Sequence, residues 1–272
     1  MMRSLWTAAS GMISQQQNVD TISNNLANVS TFGYKKERME FKTLLYETMS
    51  RADLDPANQT GRPVNLQVGH GVKPIATARI FTEGNFERTD NQQDFAIEGN
   101  GFFSIDRGDG DIKYTKDGAF KISATEEGAM LATAEGYPVL GVDDQPIIIG
   151  DEVPLKSVTV SEDGILGYMT PQGLFEDLGM QIKLVQFSNP QGLEGIGSNL
   201  LSATTASGQP LSEAEGDAPT LSRIKQGVLE MSNVQVAEEM VNLIVAQRAY
   251  DLNSKAITTS DEMLQTANGL KR

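Results

Sequence analysis

The stretch "NNLANVSTFGYK", residues 24–35, ends a helix in an unusual way: three asparagines crowd its start and no charge appears before Lys35. Upstream, from Leu5 to Val29, the apolar residues follow a seven-residue repeat. One row reads Leu5, Met12, Val19, Leu26; its companion reads Ala8, Gln15, Ile22, Val29. This alternating spacing of three and four is that of a coiled-coil seam. At 100° per residue, Ser14, Asn18, Thr21, Asn25 and Asn28 gather largely on the other side. Gly33 suits the left-handed position beyond a helix end. Only Arg3 and Asp20 carry charge between Met1 and Gly33. A solvated helix normally displays Glu and Lys outward. Asn, Gln, Ser and Thr instead hydrogen-bond a protein neighbour without the desolvation cost of an ion. The composition predicts burial on several sides by neighbouring chains. Because isolated helices are marginal in water, it also predicts mobile ends in a lone subunit that order on assembly.

The C-terminal end mirrors the first. Ser232 and Gln235 have capping-box spacing, which predicts a helix starting near Asn233. Val236, Leu243, Tyr250, Ile257 and Leu264 fall seven apart, with Met240, Gln247, Ser254 and Asp261 in the companion row. Asn268-Gly269 is a suitable stop. No proline interrupts this span, which as one helix is roughly 50 Å long at about 1.5 Å per residue. Arg248, Asp251 and Lys255 stand at ion-pairing spacings.

Between the ends the pattern is β. Short runs such as "FAIE" (95–98), "GFFSID" (101–106), "AFKIS" (119–123), "YPVLGV" (137–142), "SVTVS" (157–161) and "QIKLVQF" (181–187) recur. Turn pairs separate them: Asp109-Gly110, Asp117-Gly118, Glu127-Gly128 and Asp163-Gly164. The expected architecture is α+β: long N- and C-terminal helices forming a coiled-coil-like layer, with an inserted antiparallel β domain. The expected divisions are 1–49 (helical assembly region), 50–71 (extended linker), 72–207 (β domain), 208–231 (return linker) and 232–272 (helical assembly region). Pro56, Pro63 and the glycines flanking His70 prompt the linker reading.

Composition narrows the function classes. The formal net charge is −14, a field that repels phosphate backbones and anionic lipid, so no nucleic-acid partner is expected. No run is long enough to span a membrane, so no membrane insertion is expected. Cysteine is absent, which excludes disulfides, thiolate metal sites and Cys nucleophiles. The N-terminus lacks the pattern of a cleaved signal peptide. The single histidine, His70, cannot supply an ordinary structural zinc site alone. "GHG" and "GNG" lack the setting of a phosphate loop. "DRGDGDIKYTKDG" (106–118) places glycines where a calcium loop needs ligands, and hairpin turns are the better account. No catalytic residue, cofactor or metal is expected. A wall-cleaving glycosidase is the enzyme alternative, since carboxylates are plentiful, and a secreted adhesin with a helical stalk is the non-enzymatic one.

Both ends carry a resemblance. "SGMISQQQNVDTISNNLANVSTFGYK" (10–35) and "SNVQVAEEMVNLIVAQRAYDLNSKAI" (232–257) resemble the N- and C-terminal signatures of the bacterial flagellar rod and hook proteins. "VGHGVKPIATARIFTEGNFERTDNQQDFAIEGNGFF" (68–103) and the opening "MRSLWTAASGM" are similar to distal-rod members of that family. "YETMSRADLDPANQTGRPVNL" (46–66) resembles an insertion associated with the distal rod rather than the hook. By position, Asn24, Asn25, Leu26, Asn28, Gly33 and Tyr34 match the first signature; Asn233, Glu238, Glu239, Gln247, Arg248, Tyr250 and Ser254 match the second. Phe32 departs from the small residue or proline that often precedes this glycine in the family. The resemblance implies an axial structural protein whose terminal helices pack in the inner layers of a tubular polymer. It further implies export by the flagellar type III apparatus, a periplasmic position in the basal body, and contacts with copies of itself, proximal rod proteins, the hook protein and ring bushing proteins. The expected self-assembly residues are Leu5, Met12, Asn18, Val19, Ile22, Asn24, Asn25, Leu26, Asn28, Val29, Gly33 and Tyr34 in the first region. In the second they are Val236, Met240, Leu243, Gln247, Arg248, Tyr250, Ile257 and Leu264.

Overall fold

The computed structural model describes residues 2–54, 61–62, 64–108, 110–125, 128–150, 157–169, 175–216 and 218–270. The chain divides into two units. The first comprises residues 1–27, 37–78 and 235–272; the second comprises 28–36 and 79–234.

In the first unit, helix α1 spans Met2–Ala27 and helix α2 spans Val236–Gly269. Strand Glu37–Thr43 pairs with Val72–Arg79. Tyr46–Ser50 pairs antiparallel with Leu66–Gly69, and the ladder resumes with Asp53–Leu54 against Gly61–Arg62. The span 50–71, expected as a linker, therefore contains paired strands. Pro56 and Pro63, which prompted the linker reading, lie outside the described residues.

The second unit is antiparallel β. A six-stranded sheet runs in the order Glu194–Gly197, Leu200–Ser202, Ile112–Thr115, Phe102–Asp106, Leu184–Gln186, Leu211–Ser212. Two three-stranded sheets accompany it: Lys121–Thr125 with Gly128–Ala132 and Ile148–Ile149, and Val158–Val160 with Ile165–Met169 and Phe175–Gln181. "GFFSID" occupies a central strand that is apolar on both faces. Phe103 and Ile105 enter the larger core cluster, where Phe103 meets Phe120 edge-on at 5.0 Å between ring centroids. Phe102 points the other way, as the pleat requires, and meets Phe187 at 5.8 Å.

Three local expectations change here. Residues 208–231, expected as a return linker, contribute strands Leu211–Ser212, Arg223–Gln226 and Val228–Glu230. The latter two pair with Phe95–Glu98 and Phe86–Arg88. Residues 137–142, expected as a strand, make only isolated bridges at Pro138, Val139, Leu140 and Gly141. Pro138 has no N–H to sustain a ladder. Gly118 is not a positive-φ turn glycine. It sits where the chain passes so close to Phe95 that a Cβ would lie 1.7 Å from the Phe95 carbonyl oxygen. Gly164 does take the left-handed turn expected of it, with φ of 81°. Asp109 and Glu127 of the expected turn pairs lie outside the described residues.

Candidate assembly surface on the terminal helices

The two helices pack antiparallel in constant register. Ser4 Oγ meets Ser260 Oγ at 3.4 Å, Gly11 lies against the Asn253 amide, and Asn25 Nδ2 donates to Glu239 Oε2 at 3.2 Å. A Cβ at Gly11 would come within 2.9 Å of Asn253 Nδ2, so the missing side chain sets the closeness of approach. The buried stripe of α1 is Ala8, Ser14, Thr21, Ile22 and Asn25. That of α2 is Glu239, Ala246 and Ser260, with Asn253 half-buried between them.

This corrects the expected faces. Ser14, Thr21 and Asn25, expected on the side away from the seam, are buried. Leu5, Met12, Val19 and Leu26 flank the contact and remain half-buried; of the large expected seam residues of α1 itself, Ile22 alone is buried. In α2 the expected row is split. Leu243, Ile257 and Leu264 are half-buried, whereas Val236 and Tyr250 are exposed. Its companion row is exposed at Met240, Gln247 and Asp261 but half-buried at Ser254. The buried row lies one residue earlier, through Glu239, Ala246, Asn253 and Ser260, and it keeps the same seven-residue period. Periodicity alone does not tell it from the companion row. Ranking positions by hydrophobicity passed over it, because Met240 outranks Glu239.

Asn25 explains the preference. Its amide closes a two-way bridge with the Glu37 backbone, Nδ2 donating to the carbonyl at 2.8 Å and Oδ1 accepting the N–H at 2.9 Å. The same Nδ2 also reaches the Glu239 carboxylate. Glu239 in turn lies in the first turn of α2, where the helix dipole favours negative charge. A greasy residue at position 25 would remove a hydrogen bond from each of three polar groups: the Glu37 N–H, the Glu37 carbonyl and the Glu239 carboxylate. Asn18 is half-buried and Asn24 exposed.

The capping box at the start of α2 does not form. The helix begins at Val236 after Gln235, which makes no side-chain cap, and Ser232 Oγ accepts from the Val234 N–H. Asn233 is used otherwise, in the second unit. Its Oδ1 accepts from the Lys36 N–H at 2.7 Å, and its Nδ2 donates to the Ile80 carbonyl at 2.8 Å. Asn28, Val29, Gly33 and Tyr34 are half-buried there. Gly33 has φ of 66°, and its N–H donates to the Glu230 carbonyl at 2.8 Å. Beside it lies a buried ion pair: Lys35 Nζ is 2.6 Å from Glu230 Oε1, and the two side chains are 3% and 0% exposed. The Gly84 N–H donates to the same oxygen at 2.9 Å. Lys116, also buried, donates to the Gly99 carbonyl at 2.6 Å; burial pushes its ammonium down to about 8, with Glu230 opposing the shift.

Outward, the helix pair exposes large apolar side chains: Trp6 and Ile13 on α1; Met240, Val241, Ile244, Val245, Leu252 and Met263 on α2. Arg248, Asp251 and Lys255 form no salt bridge among the described residues, contrary to the expected intrahelical pairing. His70 instead approaches Glu47, at 3.6 Å, which also pairs with Arg3 at 2.9 Å. No helix among the described residues is long and apolar enough to cross a membrane.

Comparison with known proteins places these ends in one family. Residues 5–35 match the family described as "Flagella basal body rod protein". Residues 96–168 match "Flagellar hook protein FlgE/F/G D1 domain", and 225–270 match "Flagellar basal body rod FlgEFG protein C-terminal". The flagellar basal-body rod protein FlgG of Borreliella burgdorferi is 50% identical over 273 residues, covering 100% of both chains. FlgG of Buchnera aphidicola subsp. Schizaphis graminum is 42% identical over 99% of this chain and 100% of its own. FlgG of Bacillus subtilis is 38% identical over 100% of both. With both helical ends and the β unit matched in order, the chain belongs to the flagellar basal-body rod protein family.

Proposed function

We propose that this chain is a structural subunit of the flagellar distal rod, a tubular drive shaft that carries motor torque to the hook. Its work is self-assembly rather than catalysis. The observation that carries this reading is the helix pair, which joins both chain ends through a buried polar stripe and leaves rows of large apolar residues facing outward. Exposed apolar rows of this kind mark a surface that another chain covers. Identical subunits meeting through two different patches produce an open helical polymer unless the rotation closes a ring. Close-packed side chains have low compressibility, so interdigitated helices resist torsion. In this reading the terminal helices form a coiled-coil-like inner layer, and the β unit supplies outer contacts. The partners are copies of the chain, proximal rod proteins, the hook protein and ring bushing proteins. The chain reaches the periplasmic part of the basal body through the flagellar type III export apparatus.

We further infer that the terminal helices order fully only in the polymer, and that residues 46–66 bridge neighbouring subunits and stiffen the shaft. The second idea draws on the exposed apolar side chains Tyr46, Met49, Val64 and Leu66. Electron microscopy of the concentrated protein tests the main reading: tubes are expected, and discrete particles at every concentration would refute it. Deleting residues 46–66 is expected to yield a more bendable polymer, and an unchanged straight one would remove their stiffening role.

A further inference from the structure

The helix pair carries both a ridge and a groove. The ridge lies on a flank of α2, beside the row that faces α1. Val245, Ala249, Leu252, Ala256, Thr259 and Met263 follow one another at alternating steps of four and three residues. Val245, Leu252 and Met263 are 61%, 67% and 51% exposed. The small residues between them let another helix approach closely, so this row has the period and profile of a second packing seam. The groove is a cavity of about 420 Å³ between the two helices, lined by Gln16, Val19, Gln247, Tyr250 and Asp251. Val19 and Tyr250 supply its apolar lining, and Gln16, Gln247 and Asp251 make the remainder polar.

Charge distinguishes ridge from groove. Arg248 and Lys255 flank the ridge, and Asp251 sits in the groove wall; none of the three has a salt-bridge partner among the described residues. We propose that the α2 ridge of one copy seats in the α1–α2 groove of a second copy, bringing Arg248 and Lys255 alongside the second copy's Asp251. The occupant is a second copy because this chain supplies both halves with opposite charge. The contact joins two different patches, so it does not end in a two-fold dimer and can repeat from copy to copy. It rests on the polymer reading above and specifies which faces meet.

The chain has no cysteine, so introduced thiols report one contact each. Full-length Leu252→Cys and Val19→Cys proteins, mixed under assembling conditions and oxidised, are expected to give predominantly Leu252-to-Val19 linked dimers. Linkage of Leu252→Cys to Ile13→Cys on the outer row of α1, or to itself, in preference to Val19→Cys would overturn the assignment. Reversing charge at Asp251→Lys, or at Arg248→Glu with Lys255→Glu, is expected to raise the minimum assembling concentration by about tenfold or more, and combining all three to restore it. Helix content by circular dichroism serves as the folding control at these exposed positions. A wild-type chain that never sediments refutes the polymer reading itself. A wild type that polymerises alongside variants with unmoved assembling concentrations refutes only the ridge-in-groove contact.

Discussion

Lys35, Lys116 and Glu230 concentrate more charge in one dry place than any other group of side chains described above. Lys35 and Glu230 neutralise one another, and Lys35 also donates to the Thr82 carbonyl at 2.8 Å. Glu230 Oε2 has no hydrogen-bond partner among the described residues. Removing one member strands the other as an uncompensated buried charge, so Lys35→Met is expected to destabilise the β unit by about 3–5 kcal/mol. Lys35→Met with Glu230→Leu is expected to recover much of that loss, which urea unfolding of the three proteins measures. Lys116 carries a different signature. Its folded-state value of about 8 lies below the ordinary 10.5, so burial disfavours the ammonium. Below pH 8 both states hold the proton and the full cost is present. Between 8 and 10.5 the unfolded chain holds a proton that the folded chain has released, so stability rises with pH. The stability advantage of Lys116→Met over wild type is expected to shrink by roughly 2–3 kcal/mol between pH 7 and pH 10, at 1.36 kcal/mol per pKa unit. An advantage independent of pH would show that Lys116 titrates normally.

At the scale of the element, Gly33 turns the chain beyond α1, which ends at Ala27, and Asn25 sets which face of α1 meets α2. Gly33 adopts a left-handed φ, and a Cβ there would meet the Asp117 backbone nitrogen at 2.6 Å. Gly33→Ala therefore combines backbone strain with a collision against main chain, and is expected to cost at least about 2 kcal/mol. Thermal unfolding checks this; a loss below about 0.5 kcal/mol, the range of an ordinary surface change, would contradict it. Asn25→Leu removes the bridge to Glu37 and leaves the Glu239 carboxylate facing a methyl group. It is expected to lower protection from hydrogen exchange in both helices, although it raises hydrophobicity. The comparison separates two accounts of the contact, since a stripe held by greasy packing would gain from leucine. The α1 pattern predicted a helix of nearly the observed length. It did not predict which face turns inward, because a polar residue with several backbone partners outcompetes a larger apolar one that other chains can cover.

For the whole molecule, each unit draws on a different kind of stability. The β unit has a large apolar cluster from strands distant in sequence, with Phe103, Ile105, Val139 and Ile224 fully buried. Phe103→Ala opens a cavity in it and is expected to destabilise the unit by about 3–5 kcal/mol, measured by urea unfolding. The helical unit is held by small and polar contacts, so the same truncation at Leu252 or Val245 is expected to leave the monomer's unfolding midpoint nearly unchanged and to weaken assembly.

The sequence by itself determined that long helices stand at both ends, that β strands lie between them, and that Gly33 and Gly164 take left-handed turns. These are consequences of local period and backbone sterics, which a single stretch contains in full. The tertiary structure alone decided that residues 208–231 complete the β unit as strands, since Arg223–Gln226 and Val228–Glu230 find partners more than 100 residues upstream. It also decided that Glu239 rather than Met240 faces α1. That choice depends on Asn25, 214 positions away, being present to satisfy the carboxylate. A hydrogen bond between distant residues leaves no trace in the period of either one.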